Sequence, residues 1–465
     1  MPGFHLENFG CRAARADGEA ISARLLALGH CVQEPVEADV VVVNTCSVTE
    51  EADRAARAFI RKAHRQNPSA RIVVTGCYAQ RSPEELARME GVSAVVGNSH
   101  KALAPEIVLS LSQPAATASD SNVSTPLVPV HSLLASGQGV PIWADDRFAH
   151  SFLEEAQLVP GERTRPNLKI QEGCGNRCTF CVIPYTRGAS KSLPAASVVR
   201  QIEDFVTAGG KELVLSGINL GRWGHDLPGR ATLPALVREI LTHTALPRLR
   251  LSSIEPMDWN DELMGVMGEF GGRRLARHAH LPLQSGSDAV LRRMHRRYRP
   301  WHYVEKAEAL IRAAGPDLTL GADVMVGFPG ETEAEFEETV AMIRALPIGY
   351  LHLFPFSPRP GTPGQTLHMQ YPVPQAMVEE RMAVLRAVAI EQSRAHRARF
   401  IGRTLDAITL HTPSPLAAQG HSSGLTENFL PVNISGAIAA NRLVNLRIGA
   451  LDGEGILQAT ESSQA

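Results

Sequence analysis

Long hydrophobic runs are missing from this chain of 465 residues. The longest near the amino terminus is Val40–Val43, whereas a membrane-spanning helix needs about 20 apolar residues. Met1–Cys11 also lacks the basic stretch and apolar core of a secretory leader. No membrane partner is therefore expected, and the expected location is cytoplasmic, where thiols stay reduced. Aromatic residues are scarce at 5%, so the 44% of hydrophobic residues must build cores mainly from aliphatic side chains. An excess of either charge is missing too, since 46 Lys and Arg face 48 Asp and Glu. A nucleic-acid surface must then be a local patch. Cysteines are few and odd in number, at seven. In a reducing compartment this argues against a disulfide framework and for metal binding or catalysis.

What the chain does have is strand–helix alternation. At about 100–200 residues per domain, the length allows two to four domains. Within residues 1–111, Asp39–Asn44, Arg71–Thr75 and Val92–Val96 read as buried strands, and Glu51–Gln66 as a helix. This pattern predicts a doubly wound α/β domain with a parallel sheet. Cys46 and Cys77 fall just beyond the carboxyl ends of two strands, the edge where open α/β sheets bind ligands. Residues 112–164 read as a linker, partly disordered, because Ala, Ser, Pro and Thr dominate Gln113–Pro129. In residues 165–395 the alternation returns, with strands at Asn167–Gln171, Glu212–Ser216, Arg248–Ser252, His278–Pro282, Thr319–Val326 and His352–Pro355. Helices fall between them, such as Ala195–Ala208 and Glu333–Ala345. About six units of this kind predict a partial (β/α)6 barrel. Val373–Phe400 reads as a helix with charged faces, and the short apolar strands of Thr404–Ala459 as a small β-barrel in residues 396–465.

The densest chemical signal is Cys174-Gly-Asn-Arg-Cys178-Thr-Phe-Cys181. Three thiolates within eight residues can wrap one iron–sulfur cluster, and such clusters prefer four. Three leave one iron open to bind a ligand and deliver an electron. A zinc loop would instead pair its cysteines as C-x-x-C and close with four ligands. Placement after the first strand of the predicted barrel, at its catalytic face, also favours iron.

The loop resembles the C-x-x-x-C-x-aromatic-C signature of the radical S-adenosylmethionine superfamily, with Phe180 as the aromatic residue. The resemblance implies that S-adenosylmethionine chelates the open iron and is cleaved to a 5′-deoxyadenosyl radical. Asn-Phe-Gly-Cys11, Asn-Thr-Cys46-Ser-Val-Thr and Val-Thr-Gly-Cys77-Tyr-Ala-Gln resemble the amino-terminal domain of the methylthiotransferase family. There, Cys11, Cys46 and Cys77 would hold an auxiliary cluster involved in sulfur delivery. Two 4Fe–4S clusters are thus implied, on Cys174, Cys178, Cys181 and on Cys11, Cys46, Cys77. Cys31 matches no such motif and reads as packing. One departure is Ala14, where the family commonly has Asn, so hydrogen bonding around that cluster is expected to differ.

Further segments extend the resemblance over nearly the whole chain apart from the linker: Ile183-Pro-Tyr-Thr-Arg-Gly188, Leu215-Ser-Gly-Ile-Asn-Leu-Gly221, Leu251-Ser-Ser-Ile-Glu-Pro256, Leu281-Pro-Leu-Gln-Ser-Gly-Ser287, Val326-Gly-Phe-Pro-Gly-Glu-Thr332 and Phe354-Pro-Phe-Ser-Pro-Arg-Pro-Gly-Thr-Pro363. Several of these resemble the branch that acts on N6-threonylcarbamoyladenosine of tRNA, next to the anticodon at position 37. The resemblance implies methylthio transfer to a ring carbon, with tRNA and S-adenosylmethionine as partners and an electron donor such as flavodoxin or ferredoxin. It places Phe180, Ser216, Gly217, Ser253, Gln284, Asp323 and Gly327 around S-adenosylmethionine. Methylthiolation of ribosomal protein S12, and a redox-sensing RNA-binding protein, stand as alternatives. Phe400-Ile-Gly-Arg403 and Leu425-Thr-Glu-Asn-Phe429 resemble the small RNA-binding TRAM barrel, with less basic character. Two basic runs could meet phosphate: Arg292, Arg293, His295, Arg296, Arg297 and Arg299, and Arg54, Arg57, Arg61, Lys62, His64 and Arg65. Each could equally be a solvated face.

Overall fold

The computed structural model describes residues 1–112, 139–148, 153 and 164–462. The chain divides into two compact units: Met1–Gln157 with Glu172–Asn176 and Cys181–Ala189, and Leu158–Gln171 with Arg177–Phe180 and Ser190–Ala465.

In the first unit, β1 (Gly3–Asn8), β2 (Cys31–Val32), β3 (Val40–Thr45), β4 (Arg71–Gly76), β5 (Val92–Gly97) and β6 (Ile142–Trp143) form one sheet in the order β2-β1-β3-β4-β5-β6. Every pairing is parallel. The valine run explains why β3 lies at the centre. Val41 and Val43 pack with Ile60, Ile72 and Val74 on one face, and Val40 and Val42 with Phe4, Leu25 and Val73 on the other. Each fully buried Val is worth about 1.5–3 kcal/mol. Helices α1 (Arg12–Ala27) and α2 (Glu50–Gln66) connect the early strands. The start of α2 is fixed by Thr49, whose side chain accepts from Ala52 N at 3.3 Å, and by Glu50, Glu51 and Asp53 in its first turn.

Most of the expected linker lies outside the described residues, but Ile142 and Trp143 within it form the sheet's edge strand, paired with Val95 and Val96. Two apolar residues have no periodicity to read, and only the unpaired edge of β5 makes them a strand. For the same reason β1, which alternates weakly, was not legible as a strand.

In the second unit, β7 (Asn167–Glu172), β8 (Lys191–Ser192), β9 (Glu212–Gly217) and β10 (Arg248–Leu251) form one sheet in the order β10-β9-β7-β8. β11 (His278–His280), β12 (Thr319–Val326) and β13 (Ile348–Pro355) form a second, parallel throughout. Ile254 N donates to His280 O at 3.1 Å and carries the arc from β10 to β11. Six parallel strands, β7, β9, β10, β11, β12 and β13, thus build the open barrel that the alternation predicts. β11 is shorter than expected and β13 begins four residues earlier, at Ile348 rather than His352. β14 (Thr404–Thr409), β15 (His421–Thr426), β16 (Pro431–Ser435), β17 (Leu443–Leu451) and β18 (Leu457–Glu461) close into the predicted small barrel. Its core is Phe400, Leu405, Val432, Ile434, Leu446, Ile448 and Leu457. Among the described residues, no helix is long and apolar enough to cross a membrane.

The turn Glu427–Phe429 ties this small barrel to the amino-terminal edge of β11 and β12. Glu427 receives Arg277 Nε at 2.8 Å, Asn428 Nδ2 donates to Asp317 O at 3.0 Å, and Phe429 stacks on His278 with centroids 4.2 Å apart. The family-like Leu425–Phe429 segment is therefore spent on packing within the unit: Glu427 and Asn428 are buried.

Candidate functional site

The order of the first sheet reverses between β1 and β3, and ligands of such sheets bind beyond the carboxyl ends of the strands at that switch point. Cys11 follows β1, Cys46 follows β3, and Cys77 follows β4, so three neighbouring strands deliver one cysteine each to one edge. Close approach is built into the backbone. Gly10 has φ +100°, and a Cβ there would lie 2.4 Å from Cys46 Sγ. The Cys11 thiol is lowered to about 5, chiefly by its hydrogen bond with Cys46 and helped by the charge of Arg187. Backbone N–H groups of Ala13 and Ala14 add to this at the start of α1. Position 14 contributes its backbone N–H here. Cys46 is pushed well up, first by its hydrogen bond with Cys11 and then by desolvation and the neighbouring sulfurs. Cys11 and Cys46 thus share one proton between them, the first thiol losing it more readily than the second. Cys31 pairs with Gly3 at the opposite, amino-terminal edge.

A buried charge box, missed by the sequence reading, stands against Cys77. Asn98 Nδ2 lies 3.4 Å from Cys77 Sγ and Arg187 Nε 3.2 Å. Arg187 Nη1 reaches Asp17 at 2.9 Å and Glu172 at 2.5 Å, while Lys101 Nζ reaches the same two carboxylates at 2.9 and 2.6 Å. Burial opposes the charge of Arg187, yet the sulfurs of Cys77 and Cys11 and the two carboxylates hold its guanidinium firmly protonated. Such N–H donors to cluster sulfurs tune reduction potential. The signal available in sequence was Arg187 itself, inside Ile183-Pro-Tyr-Thr-Arg-Gly188.

Cys174, Cys178 and Cys181 lie in the loop that follows β7. Cys174 N donates to Gly188 O, and Asn176 N to Cys174 Sγ at 3.4 Å. In the second unit, Arg296 Nη1 lies 3.2 Å from Cys178 Sγ, and its other amino group pairs with Glu255. Thr179 is anchored to Arg293 O and Met294 O. The donor set suits an iron–sulfur group: thiolates, each trio with one buried arginine at a sulfur.

The residues expected around S-adenosylmethionine sit at or near the carboxyl ends of the second unit's strands. Ser216 is buried, with no hydrogen-bond partner for its Oγ among the described residues. Gly217 lies against Gln171, which a Cβ would meet at 2.9 Å, and Gln171 Oε1 accepts from Asn219 N at 2.7 Å. Phe180 and Ser253 are half-buried in neighbouring loops. Gln284 adopts φ +64°, placing its N on Asp323 O at 2.7 Å. Gly327, at φ +75°, donates to Glu331, which Arg381 braces at 3.0 Å. Asp323 differs from the rest: it lies mid-strand, engaged by His280 and His352.

The basic run near residue 296 does not form one phosphate-facing surface. Arg296 is 7% exposed. Arg292 pairs with Asp288, Arg293 with Glu335, and Arg299 caps Arg296 O and Tyr298 O. The chain turns at Met294–His295, so residues consecutive in sequence diverge in space. On α2, by contrast, Arg54, Arg61, Lys62 and Arg65 are all exposed, while Arg57 turns inward to Tyr78 Oη at 2.6 Å.

Residues 3–97 match the family described as Uncharacterized protein family UPF0004, and residues 168–343 match the Radical SAM superfamily. The chain is similar to the threonylcarbamoyladenosine tRNA methylthiotransferase MtaB of Rickettsia prowazekii, 32% identical over 96% of this chain and 94% of that protein. MtaB of Bacillus subtilis is 34% identical over 93% and 90%. The tRNA-2-methylthio-N(6)-dimethylallyladenosine synthase of Erythrobacter litoralis is 36% identical over 88% and 86%. Among solved structures, the radical S-adenosylmethionine methyltransferase TsrM of Kitasatospora setae superposes with a TM-score of 0.52 at 16% identity, over 80% of this chain and 78% of that one. That likeness concerns the fold.

Proposed function

The chain belongs to the radical S-adenosylmethionine methylthiotransferases, and we propose that its substrate is N6-threonylcarbamoyladenosine at tRNA position 37, converted to the 2-methylthio derivative. As a member it is a radical enzyme that uses S-adenosylmethionine and a 4Fe–4S cluster, and tRNA is the substrate class of its relatives. The observation that carries the nucleoside is sequence: the segments Cys46-Ser-Val-Thr, Cys77-Tyr-Ala-Gln, Ser-Gly-Ile-Asn-Leu-Gly221 and Ser-Ser-Ile-Glu-Pro256 resemble the threonylcarbamoyladenosine branch, and relatives named for that nucleoside align with 96% and 93% of this chain.

In this reading Cys174, Cys178 and Cys181 hold one cluster and Cys11, Cys46 and Cys77 a second, the first supplying one-electron cleavage of S-adenosylmethionine and the second sulfur. Phe180, Ser216, Gly217, Ser253, Gln284 and Gly327 border S-adenosylmethionine, with Gly217 packed on Gln171 and Gly327 on Val378. Arg187 and Asn98 support Cys77, and Arg296 supports Cys178. Arg54, Arg61, Lys62 and Arg65 offer phosphate contacts. A flavodoxin or ferredoxin in the cytoplasm supplies electrons. The test is product analysis: the reconstituted protein, with S-adenosylmethionine and a reductant, is given anticodon stem-loops bearing either N6-substituent, or ribosomal protein S12. Methylthio product on the threonylcarbamoyl loop supports the reading, and product confined to S12 or to the dimethylallyl loop overturns it.

A further inference from the structure

One face of the β11–β13 sheet is apolar: Leu320, Ala322, Val324 and Val326 on β12 are all buried. The other face is mixed: polar through His278, His280, Asp323, Tyr350 and His352, with Met325 and Phe354 following in register, and its polar part is organised. Register sets Gly321 beside Tyr350 and Asp323 beside His352, with His280 beside Gly321. The missing side chain at Gly321 admits the tyrosine ring, since a Cβ there would lie 2.1 Å from Tyr350 Cζ. Tyr350 Oη then bridges His278 Nε2 at 2.7 Å and His280 Nδ1 at 2.9 Å. His280 Nε2 and His352 Nδ1 both meet Asp323 Oδ1, at 3.0 and 3.2 Å. The result is one hydrogen-bonded chain, His278–Tyr350–His280–Asp323–His352.

Its two ends differ. At the His278 end Phe429 stacks on His278 at 4.2 Å and lies tilted against Tyr350 at 5.3 Å, with Arg250 over its ring at 5.3 Å, so that end is closed. Towards the other end the side chains open progressively, from 7% exposed at His280 to 20% at Asp323 and 49% at His352. Although burial opposes it, the bonds from His280 and His352 hold the Asp323 carboxyl well below the usual range. The open end is therefore a fixed carboxylate screened by an imidazole whose Nδ1 is already engaged, leaving Nε2 for a ligand. In the same sheet Gln284 N, a proposed neighbour of S-adenosylmethionine, bonds Asp323 O.

From this arrangement we infer that His352, set by Asp323, His280 and Tyr350, reads the substituent on the target adenosine and selects one bearing hydroxyl, urea or carboxylate groups over a hydrocarbon. The inference rests on the reading of the chain as a tRNA-adenosine methylthiotransferase and deepens it. A hydrocarbon laid over this end would strip water from Asp323 and His352 and return no hydrogen bond, a cost that a polar substituent avoids. The same three ligand atoms lie within 4.8 Å of one another, close enough for a dication to bind, which makes metal binding the competing outcome.

The test is a one-pot competition between two anticodon stem-loops, one bearing the threonylcarbamoyl and one the dimethylallyl group, read by mass spectrometry of both methylthio products. The product ratio gives relative kcat/KM and is independent of how much protein carries clusters. Wild type should favour the threonylcarbamoyl loop by at least about 100-fold. His352→Phe should cut that preference at least about tenfold, and His352→Gln, which still donates and accepts, should keep it within about threefold. A His352→Phe protein with wild-type preference overturns the inference, as does a wild type that uses both loops equally, while either leaves the methylthiotransferase reading standing. Product from neither loop, with S-adenosylmethionine still cleaved, overturns both. Elemental analysis of the same preparations adds a final outcome: one zinc per chain in wild type, absent in His352→Phe, reassigns the cluster to a metal and overturns the inference.

Discussion

Replacing Arg187 with Met should be among the most damaging single changes in the first unit. Its side chain is fully buried, and Asp17 and Glu172 are 3% and 2% exposed. In wild type, Arg187 and Lys101 balance those two carboxylates. Arg187→Met leaves two buried anions to one cation and removes a donor from Cys77. Breaking a buried pair in this way costs about 3–5 kcal/mol, a large share of the about 5–15 kcal/mol that holds a typical domain. Anaerobic urea unfolding of the full chain, followed by circular dichroism, should show the midpoint fall accordingly. Glu172→Gln added to Arg187→Met restores one cation to one anion, so the double variant should recover part of the loss, with a coupling of about 0.5–3 kcal/mol. A loss below about 0.5 kcal/mol, typical of a surface position, or strict additivity of the two changes, would refute the charge-box account.

Four further outcomes follow from the same structure. Cys174, Cys178 and Cys181 replaced together by Ala should leave about four irons of about eight, measured by iron analysis; full iron content would remove the loop's assignment. Cys178→Ala should abolish 5′-deoxyadenosine release, whereas Cys46→Ala should block methylthio product and still allow cleavage. Arg54, Arg61 and Arg65 changed to Glu should weaken tRNA binding and lower the log–log salt slope by roughly 0.7–0.9 for each phosphate no longer neutralised, while Arg296→Met should instead perturb the electron paramagnetic resonance of the cluster on Cys178. Burial lowers His396 from an ordinary 6.5 to about 4. The unfolded chain therefore takes up this proton first, and stability should fall as pH drops from 6.5 towards 4, by about 3 kcal/mol in all; His396→Gln should flatten that part of the melting-temperature profile.

Parallel strands buried on both faces announce themselves as valine runs, which is why β3, β4 and β5 were legible, along with the sheet edge that receives Cys46 and Cys77. The Cys174–Cys181 loop was legible because its spacing is local. Arg296 was not: a run of cations in sequence reads as a surface, and only the turn at Met294–His295 sends Arg296 to Cys178 while Arg292 stays outside. Arg187 and Lys101 were invisible for a related reason. Asp17 is distant in sequence from both, Glu172 is distant from Lys101 and lies across the cysteine loop from Arg187, and a lone arginine carries no periodicity. The His280–Asp323–His352 chain depends on strand register and on the extra residue in β13 at Gly349, neither of which a pattern of hydrophobicity reports.

The claim that this enzyme modifies N6-threonylcarbamoyladenosine is tested most directly by nucleoside mass spectrometry of total tRNA from a strain deleted for its gene. The account predicts loss of 2-methylthio-N6-threonylcarbamoyladenosine, with its unmodified precursor accumulating, and rescue by the wild-type gene but not by Cys46→Ala. Unchanged levels of that nucleoside in the deletion strain would contradict it.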